Sequence, residues 1–414
     1  MLRSLFPRVY CKFASLPLLG PVVDGFDDWL TANGYTRGSR KFSIRMLRNV
    51  DAYLRCHDVG EVAGLDHKTL VACWRDLIKI FPTSAGTVRT LEQYLVERGL
   101  ITTARQTTAL PQTLALSAQY ANHLHEVRGF AASTVSHHRY TAQCFLEYLG
   151  EKDTAVARLA ATDIESYIAK VGKRLSRGSL QHEIAALRGF LRFLTAVGRM
   201  PTALNYPIDT PRLYRLEQLP RALPWETVRK LLRSMETTSP MGLRDNAMLL
   251  LMATYGLRAS EIVAITLDDI RWREGVLRIH QRKTSSPLEL PLTNEVLSAL
   301  VKHLKRTPPP APHRRLFLRM RAPIGALKPT AVSDVFQALV RKSGLSIPYQ
   351  GSHCLRHSYA VHLLKSGTPL KAIGDILGHR TAESTSMYLR LATGDLREVA
   401  LQVPSCNKRK EGQR

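Results

Sequence analysis

The chain has 414 residues, with 59 Lys and Arg against 34 Asp and Glu, a formal net charge of +25. A hydrophobic fraction of 44% and a charged fraction of 22% exclude a globally disordered chain and leave room for two to three domain cores. No run approaches the roughly 18 uncharged apolar residues of a membrane span, and Arg8, Lys12 and Pro17 break up the start of the chain, so no export signal is expected.

A cationic surplus of this size repels itself and points to a polyanionic partner. The positive charges run along the whole chain, which favours an extended nucleic-acid surface over an anionic membrane. The six cysteines (Cys11, Cys56, Cys73, Cys144, Cys354, Cys406) form no CxxC pair. They read as reduced thiols of a cytoplasmic protein. Cys56-His57 and His353-Cys354 lack zinc-site spacing, so no metal or other cofactor is expected.

In chain order, residues 18–110 read as short helices, with Met46, Val50, Tyr53 and Leu54 on one face and Val88, Leu91, Tyr94 and Leu95 on another. A second helical block follows at 114–127, 134–149, 162–171 and 179–197. The blocks resemble each other. Gly34-Tyr35 and Tyr53-Leu54 match Gly129-Phe130 and Tyr148-Leu149 at an offset of 95, and Arg89, Tyr94-Leu95 and Gly99 match Arg188, Phe193-Leu194 and Gly198 at 99. This fits duplication of a four-helix unit, or two unrelated bundles sharing a spacing. Residues 201–224 carry Pro201, Pro207, Pro211, Pro220 and Pro224 with Arg212, Arg215 and Arg221 between them. They read as a stiff basic linker.

Beyond it the pattern is mixed. Helices are expected at 227–235, 244–255, 294–305, 330–343, 355–366, 370–377 and 382–391, with a β-hairpin over 275–291 around Lys283-Thr-Ser-Ser-Pro. The domains are therefore 1–110, 111–200, the linker 201–224, 225–405 and a basic tail 406–414.

Three segments of the last domain concentrate hydrogen-bonding cations. In Tyr255-Gly-Leu-Arg258-Ala-Ser-Glu261, an arginine follows a glycine that ends an apolar helix, placed either to meet an anion or to pair with Glu261. In His353-Cys-Leu-Arg356-His357, His353 and Arg356 share a helix face. His353 and His357 have HxxxH spacing but lack the glutamate of metallohydrolases. Leu377-Gly378-His379 precedes Tyr388, with Thr381 expected to cap the intervening helix. Two arginines, two histidines and a tyrosine suit metal-free attack on a phosphodiester. The tyrosine oxygen attacks phosphorus, guanidiniums neutralise the non-bridging oxygens, an imidazole takes the phenol proton, and a lysine protonates the leaving oxygen.

These three boxes, in this order and spacing, resemble the tyrosine recombinase (phage integrase) family. The resemblance covers about residues 220–405, and 112–200 look like the family's helical core-binding domain. It implies a multidomain, mainly α chain: helical N-terminal DNA-binding domains and a mixed α+β catalytic domain with a small β-hairpin or sheet. It implies Tyr388 as nucleophile, Arg258 and Arg356 as phosphate clamps, His353 as general base, His379 as a phosphate hydrogen-bond donor and Lys283 as general acid. The activity implied is site-specific DNA strand cleavage and rejoining through a 3′-phosphotyrosine, without metal or ATP, in the service of a mobile element. The partners implied are double-stranded DNA and a homo- or hetero-tetramer, with no membrane, in a cytoplasmic, nucleoid-associated setting.

Two departures from the family pattern stand out: a turn at Lys283 that is less glycine-rich and has Arg282 beside it, and the extra block 1–110, expected to add DNA or subunit contacts. Leu396, Val399, Ala400 and Val403 are expected to form an apolar helical face docking on a neighbouring subunit. The alternatives are a non-catalytic DNA-binding protein using 369–390 as a helix-turn-helix, and a type IB topoisomerase-like enzyme.

Overall fold

The computed structural model describes residues 2–81, 85–101, 111–200, 208–214, 217, 219–281, 287–310, 313–349 and 351–391. The chain divides into two units: Met1–Trp29 with Arg37–Glu217, and Leu30–Thr36 with Gln218–Arg414.

The first unit is helical. Short helices α1 (Leu2–Leu5) and α2 (Tyr10–Ala14) precede α3 (Gly20–Ala32), α4 (Arg37–Arg55), α5 (His67–Ile80) and α6 (Ala85–Glu97). The helices here were expected to be short, but α4 runs 19 residues, because nothing from Ser39 to Arg55 interrupts it. Its buried stripe is Ile44, Leu47, Val50 and Leu54. Met46 and Tyr53, expected on that face, are only half-buried. Asp51 is buried on α4 and accepts the backbone N–H groups of Leu18 (3.0 Å) and Leu19 (2.8 Å), which ties down the start of α3. Phe26, Trp29 and Tyr94 pack together between α3 and α6.

Four more helices follow: α7 (Pro111–Glu126), α8 (Ala132–Glu151), α9 (Ala161–Gly172) and α10 (Arg177–Ala196). They lie within three residues of the expected positions. Tyr120, Phe145, Tyr167, Phe190 and Phe193 dominate their own core. The described residues of 208–224 belong to no helix or strand, as proline and its missing N–H dictate.

The second unit orders α11 (Trp225–Arg233), α12 (Pro240–Tyr255), α13 (Ala259–Ile262), β1 (Ile270–Arg271), β2 (Val276–His280), β3 (Pro287–Pro291), α14 (Asn294–Arg306), α15 (Pro329–Ser343), α16 (His353–Lys365), α17 (Leu370–Leu377) and α18 (Glu383–Ser386), with a 3₁₀ turn over Met387–Leu391. Ser239 caps α12 by accepting the Gly242 N–H at 3.1 Å, and Pro240 sits in the first turn, where its missing N–H is harmless. Ala247 to Ala253 are all buried. Helix α12 is apolar all round because it is the unit's central element, packed on α14, α15 and α16.

The hairpin forms in the expected place, antiparallel, with Val276 opposite Pro291 and His280 opposite Pro287. The structure adds β1 as a third strand on β2. The fold class is therefore as expected, mainly helical with a small antiparallel sheet. The Ser358 hydroxyl accepts the Leu223 N–H at 2.7 Å and donates to the Cys354 carbonyl at 2.8 Å, which pins the entry of the unit to α16.

Candidate active site

Two left-handed glycines organise the site. Gly256 (φ 63°) ends α12 and Gly378 (φ 61°) ends α17. Each frees helix C-terminal carbonyls, the negative end of the helix dipole. Arg356, on α16 and only 3% exposed, takes both ends: Nη1 donates to Gly256 O at 2.6 Å and Nη2 to Leu377 O. Burial, and then the nearby Arg258, pull its pKa down to about 10, so it stays charged at neutral pH.

Arg258 leaves the Gly256 turn. Nη1 pairs with Glu261 at 2.7 Å, and Nη2 donates to Gly378 O at 3.3 Å. Both readings of Arg258 thus meet: it is paired with Glu261 and it faces the site. Two guanidiniums are balanced there by one carboxylate and by carbonyls, which leaves the place electropositive.

Tyr388 is 1% exposed, on the 3₁₀ turn after α18. Its hydroxyl lies 3.0 Å from Nδ1 of His357. The His379 ring stacks towards it at 6.3 Å between centroids, and His379 Nδ1 meets the Thr385 hydroxyl at 2.9 Å. Gly374 admits that threonine, since a Cβ there would lie 3.1 Å from Thr385 Oγ1. Thr381 does not cap through its side chain as expected; its hydroxyl meets Ser384 Oγ at 3.1 Å.

Burial, with neighbouring cations, lowers both His357 and His379 to about 4. Both rings are neutral at pH 7, and in its Nε2–H tautomer His357 accepts the phenol hydrogen. Burial raises the Tyr388 phenol, against the pull of Arg356 and Arg258.

Arg258, Arg356, His379 and Tyr388 therefore converge from three separate stretches of the chain. His353 is exposed at the start of α16, and its ring meets His357 edge-on at 4.7 Å. Lys283 lies outside the described residues, between the ends of β2 and β3. Sequence reasoning gave His357 no role. Its position four residues after His353 was the available signal, because it puts both rings on one helix face. Gln281 also went unnoticed: it is 4% exposed and covers Gly378, where a Cβ would run into its Oε1. A groove of about 660 Å³ lined by Trp225, Arg229, Asn246 and Lys302 lies elsewhere in this unit and holds none of these side chains.

The family model for the phage integrase family matches residues 221–394, and that for the phage integrase N-terminal SAM-like domain matches 118–198. A Sinorhizobium fredii protein named as an integrase/recombinase, y4rA, is 30% identical over 94% of this chain and 96% of its own length. The chain belongs to the phage integrase family of tyrosine recombinases. Another family member, the tyrosine recombinase XerD of Listeria innocua, is 29% identical over 66% of this chain and 93% of its own. Among solved structures, the lambda integrase dimer bound to a COC′ core site is 17% identical, with a TM-score of 0.53, covering 77% of this chain and 88% of that one. The XerH recombinase in a post-cleavage complex with palindromic difH substrate is also 17% identical at 0.53, covering 68% and 83%. At that identity they show the shared recombinase fold.

Among the described residues no helix is long and apolar enough to cross a membrane, and no three His, Cys, Asp or Glu side chains are grouped as metal ligands. Cys11, Cys56, Cys73, Cys144 and Cys354 are free thiols.

Proposed function

We propose that this tyrosine recombinase cuts and rejoins duplex DNA at specific sites through a 3′-phosphotyrosine on Tyr388. What carries the reading is the meeting of two cations held by helix C-termini with a phenol oxygen 3.0 Å from Nδ1 of a neutral imidazole. Tyr388 Oη attacks phosphorus, the P–O5′ bond breaks, and the 3′ phosphate stays on the tyrosine. Arg258 and Arg356 meet the charge that grows on the non-bridging oxygens. His379, with Nδ1 engaged by Thr385, offers Nε2 to a phosphate oxygen.

His357 is the first acceptor of the phenol proton. His353, whose ring meets that of His357 edge-on at 4.7 Å, takes the proton on from His357 as general base. Lys283 protonates the leaving 5′ oxygen. An incoming 5′ hydroxyl then reverses the step on another strand, so the ester bond conserves the energy and ATP is not needed. In this reading the guanidiniums fill the place of a metal.

In this reading the domains are 1–110 as an added helical domain, 111–200 binding the core site, the linker 201–224, the catalytic domain 225–405 and a basic tail. Strand exchange between two duplexes calls for four subunits, alike or mixed. The apolar series Leu396 to Val403, outside the described residues, would couple them. The setting is nucleoid DNA of the cytoplasm, and the beneficiary a mobile element. The helix-turn-helix alternative loses ground because α18 has four residues, too few for a recognition helix.

The test is a nicked suicide substrate carrying the candidate element end, incubated in EDTA and run on a denaturing gel. A covalent adduct in the wild type and none in Tyr388→Phe is the expected result. No adduct with intact site binding overturns autonomous catalysis.

A further inference from the structure

Residues 20–101 and 111–200 follow one plan. In each, two helices are followed by a 3₁₀ turn (Val62–Gly64; Val156–Arg158) and two more helices. Left-handed residues stand at matching places: Gly34, Asp58 and Gly99 in the first, Gly129, Asp153 and Gly198 in the second. Asp58 and Asp153 are the two left-handed residues other than glycine among the described residues, and they lie 95 positions apart. Buried side chains match in register: Val50 with Phe145, Leu54 with Leu149, Leu91 with Phe190, and Leu95 with Leu194.

Even the exceptions compensate. A Cβ on Gly25 would run into the Tyr94 hydroxyl. The matching position 95 residues on is Tyr120, whose hydroxyl would lie 2.6 Å from a Cβ on Gly189. A ring from the fourth helix fills the gap in one set, and a ring from the first helix fills it in the other.

The two sets differ in charge. Helix α4 carries Arg37, Arg40, Lys41, Arg45, Arg48 and Arg55 against Asp51 alone. Its counterpart α8 carries Arg139 against Glu147 and Glu151. Two α4 arginines serve the fold: Arg40 pairs with buried Asp27 at 2.6 Å and Arg55 with Asp51 at 2.9 Å. The other four, Arg37, Lys41, Arg45 and Arg48, repeat every three or four residues and so line one face, beside the buried stripe. Arg37, Lys41 and Arg48 have no ion-pair partner among the described residues, and Arg45 lies over the Phe6 ring at 5.8 Å. The matching α8 positions are Ala132, Ser136, Tyr140 and Gln143. The helical plan therefore does not require charge there.

We propose that residues 20–101 are a second copy of the SAM-like four-helix unit, and that the face formed by Arg37, Lys41, Arg45 and Arg48 binds the phosphates of duplex DNA in addition to those met by residues 111–391. The face spans about 16 Å of helix, over which a duplex presents roughly ten phosphate charges. An anionic membrane is the poorer match, since the exposed Phe42 beside this face is one ring where a membrane-surface helix needs a whole apolar side to insert.

The proposal rests on the DNA-binding reading above, and its test separates the two. Binding of the full-length protein to a short duplex of arbitrary sequence is titrated across salt concentrations. The variant Arg37→Ala, Lys41→Ser, Arg45→Tyr, Arg48→Gln installs the residues that the second copy already carries, so it should fold. The logarithmic salt slope is expected to become shallower by about 3 to 4, close to 0.9 for each phosphate that is no longer neutralised, while adduct formation on the suicide substrate persists. An unchanged slope overturns this proposal alone. A wild type without measurable DNA binding overturns both. Loss of sedimentation with anionic phospholipid vesicles, at unchanged DNA slope, overturns it in favour of a membrane. Independently of any variant, DNA should protect the Lys41 amine of the wild type from acetylation, and full reactivity with DNA bound counts against the proposal.

Discussion

The hydroxyl of Tyr388 is held 3.0 Å from Nδ1 of His357, inside the protein. The ring is one that burial keeps neutral down to about pH 4, so its Nδ1 is available to accept from the phenol throughout the neutral range. His357→Ala is expected to slow adduct formation by about 10²-fold, the range of a lost acid–base group. Its rate should also rise with pH, because the proton must now reach His353 through solvent, whereas the first acceptor of the wild type is already neutral above about pH 4. Single-turnover rates against pH check this, and a flat profile in His357→Ala would return the whole role to His353.

Arg356 commits two donors to the C-terminal carbonyls of α12 and α17. Lysine keeps the charge but not the fork. Arg356→Lys is expected to lower the cleavage rate by about 10² to 10³, the cost of losing one transition-state donor. Arg356→Ala should in addition destabilise the protein by about 3 kcal/mol, as two carbonyls are left without a charged donor. Denaturant melts beside cleavage rates separate the two effects.

Gly378 needs both its left-handed backbone and its missing side chain. Gly378→Ala carries a backbone cost of about 1 to 2 kcal/mol and a Cβ that meets Gln281. Pairing it with Gln281→Ala should relieve the clash but not the backbone cost, giving a coupling energy above about 0.5 kcal/mol. Simple additivity in denaturant melts would mean that Gln281 does not cover the turn.

Two depressed histidines make stability fall in acid. His357 and His379 titrate at about 4 in the folded protein, below their ordinary 6.5. Between these values the unfolded chain binds protons that the folded one does not, so stability drops as pH falls from about 6.5 to 4. Thermal melts across that window should show the loss, and a variant carrying His357→Gln and His379→Gln should show a shallower slope.

The order of the three boxes, the helices of 111–200 and the hairpin were legible in the sequence alone. They rest on local rules: glycine where the backbone turns left-handed, proline where helices stop, apolar residues at helical spacing. The two-residue β1 was not legible, because two residues carry no period. The face of α4 was misread by a fraction of a turn, because Met46 and Tyr53 look as apolar as the residues that are buried.

Within the site, the sequence named Arg258, Arg356, His379 and Tyr388, and the fold brings all four to the ends of α12 and α17. It assigned the acceptor of the phenol proton to His353, whereas the ring that meets Tyr388 is His357. Both lie on one face of α16, and the choice depends on where the 3₁₀ turn after α18 crosses that helix. Nor could it foresee Gln281 over Gly378, a contact between residues almost a hundred positions apart. What sequence determined is which chemistry is present, since that follows from side-chain type and local spacing. Which groups touch, and which are driven neutral by burial, was decided by tertiary packing, because both depend on what distant segments exclude from water.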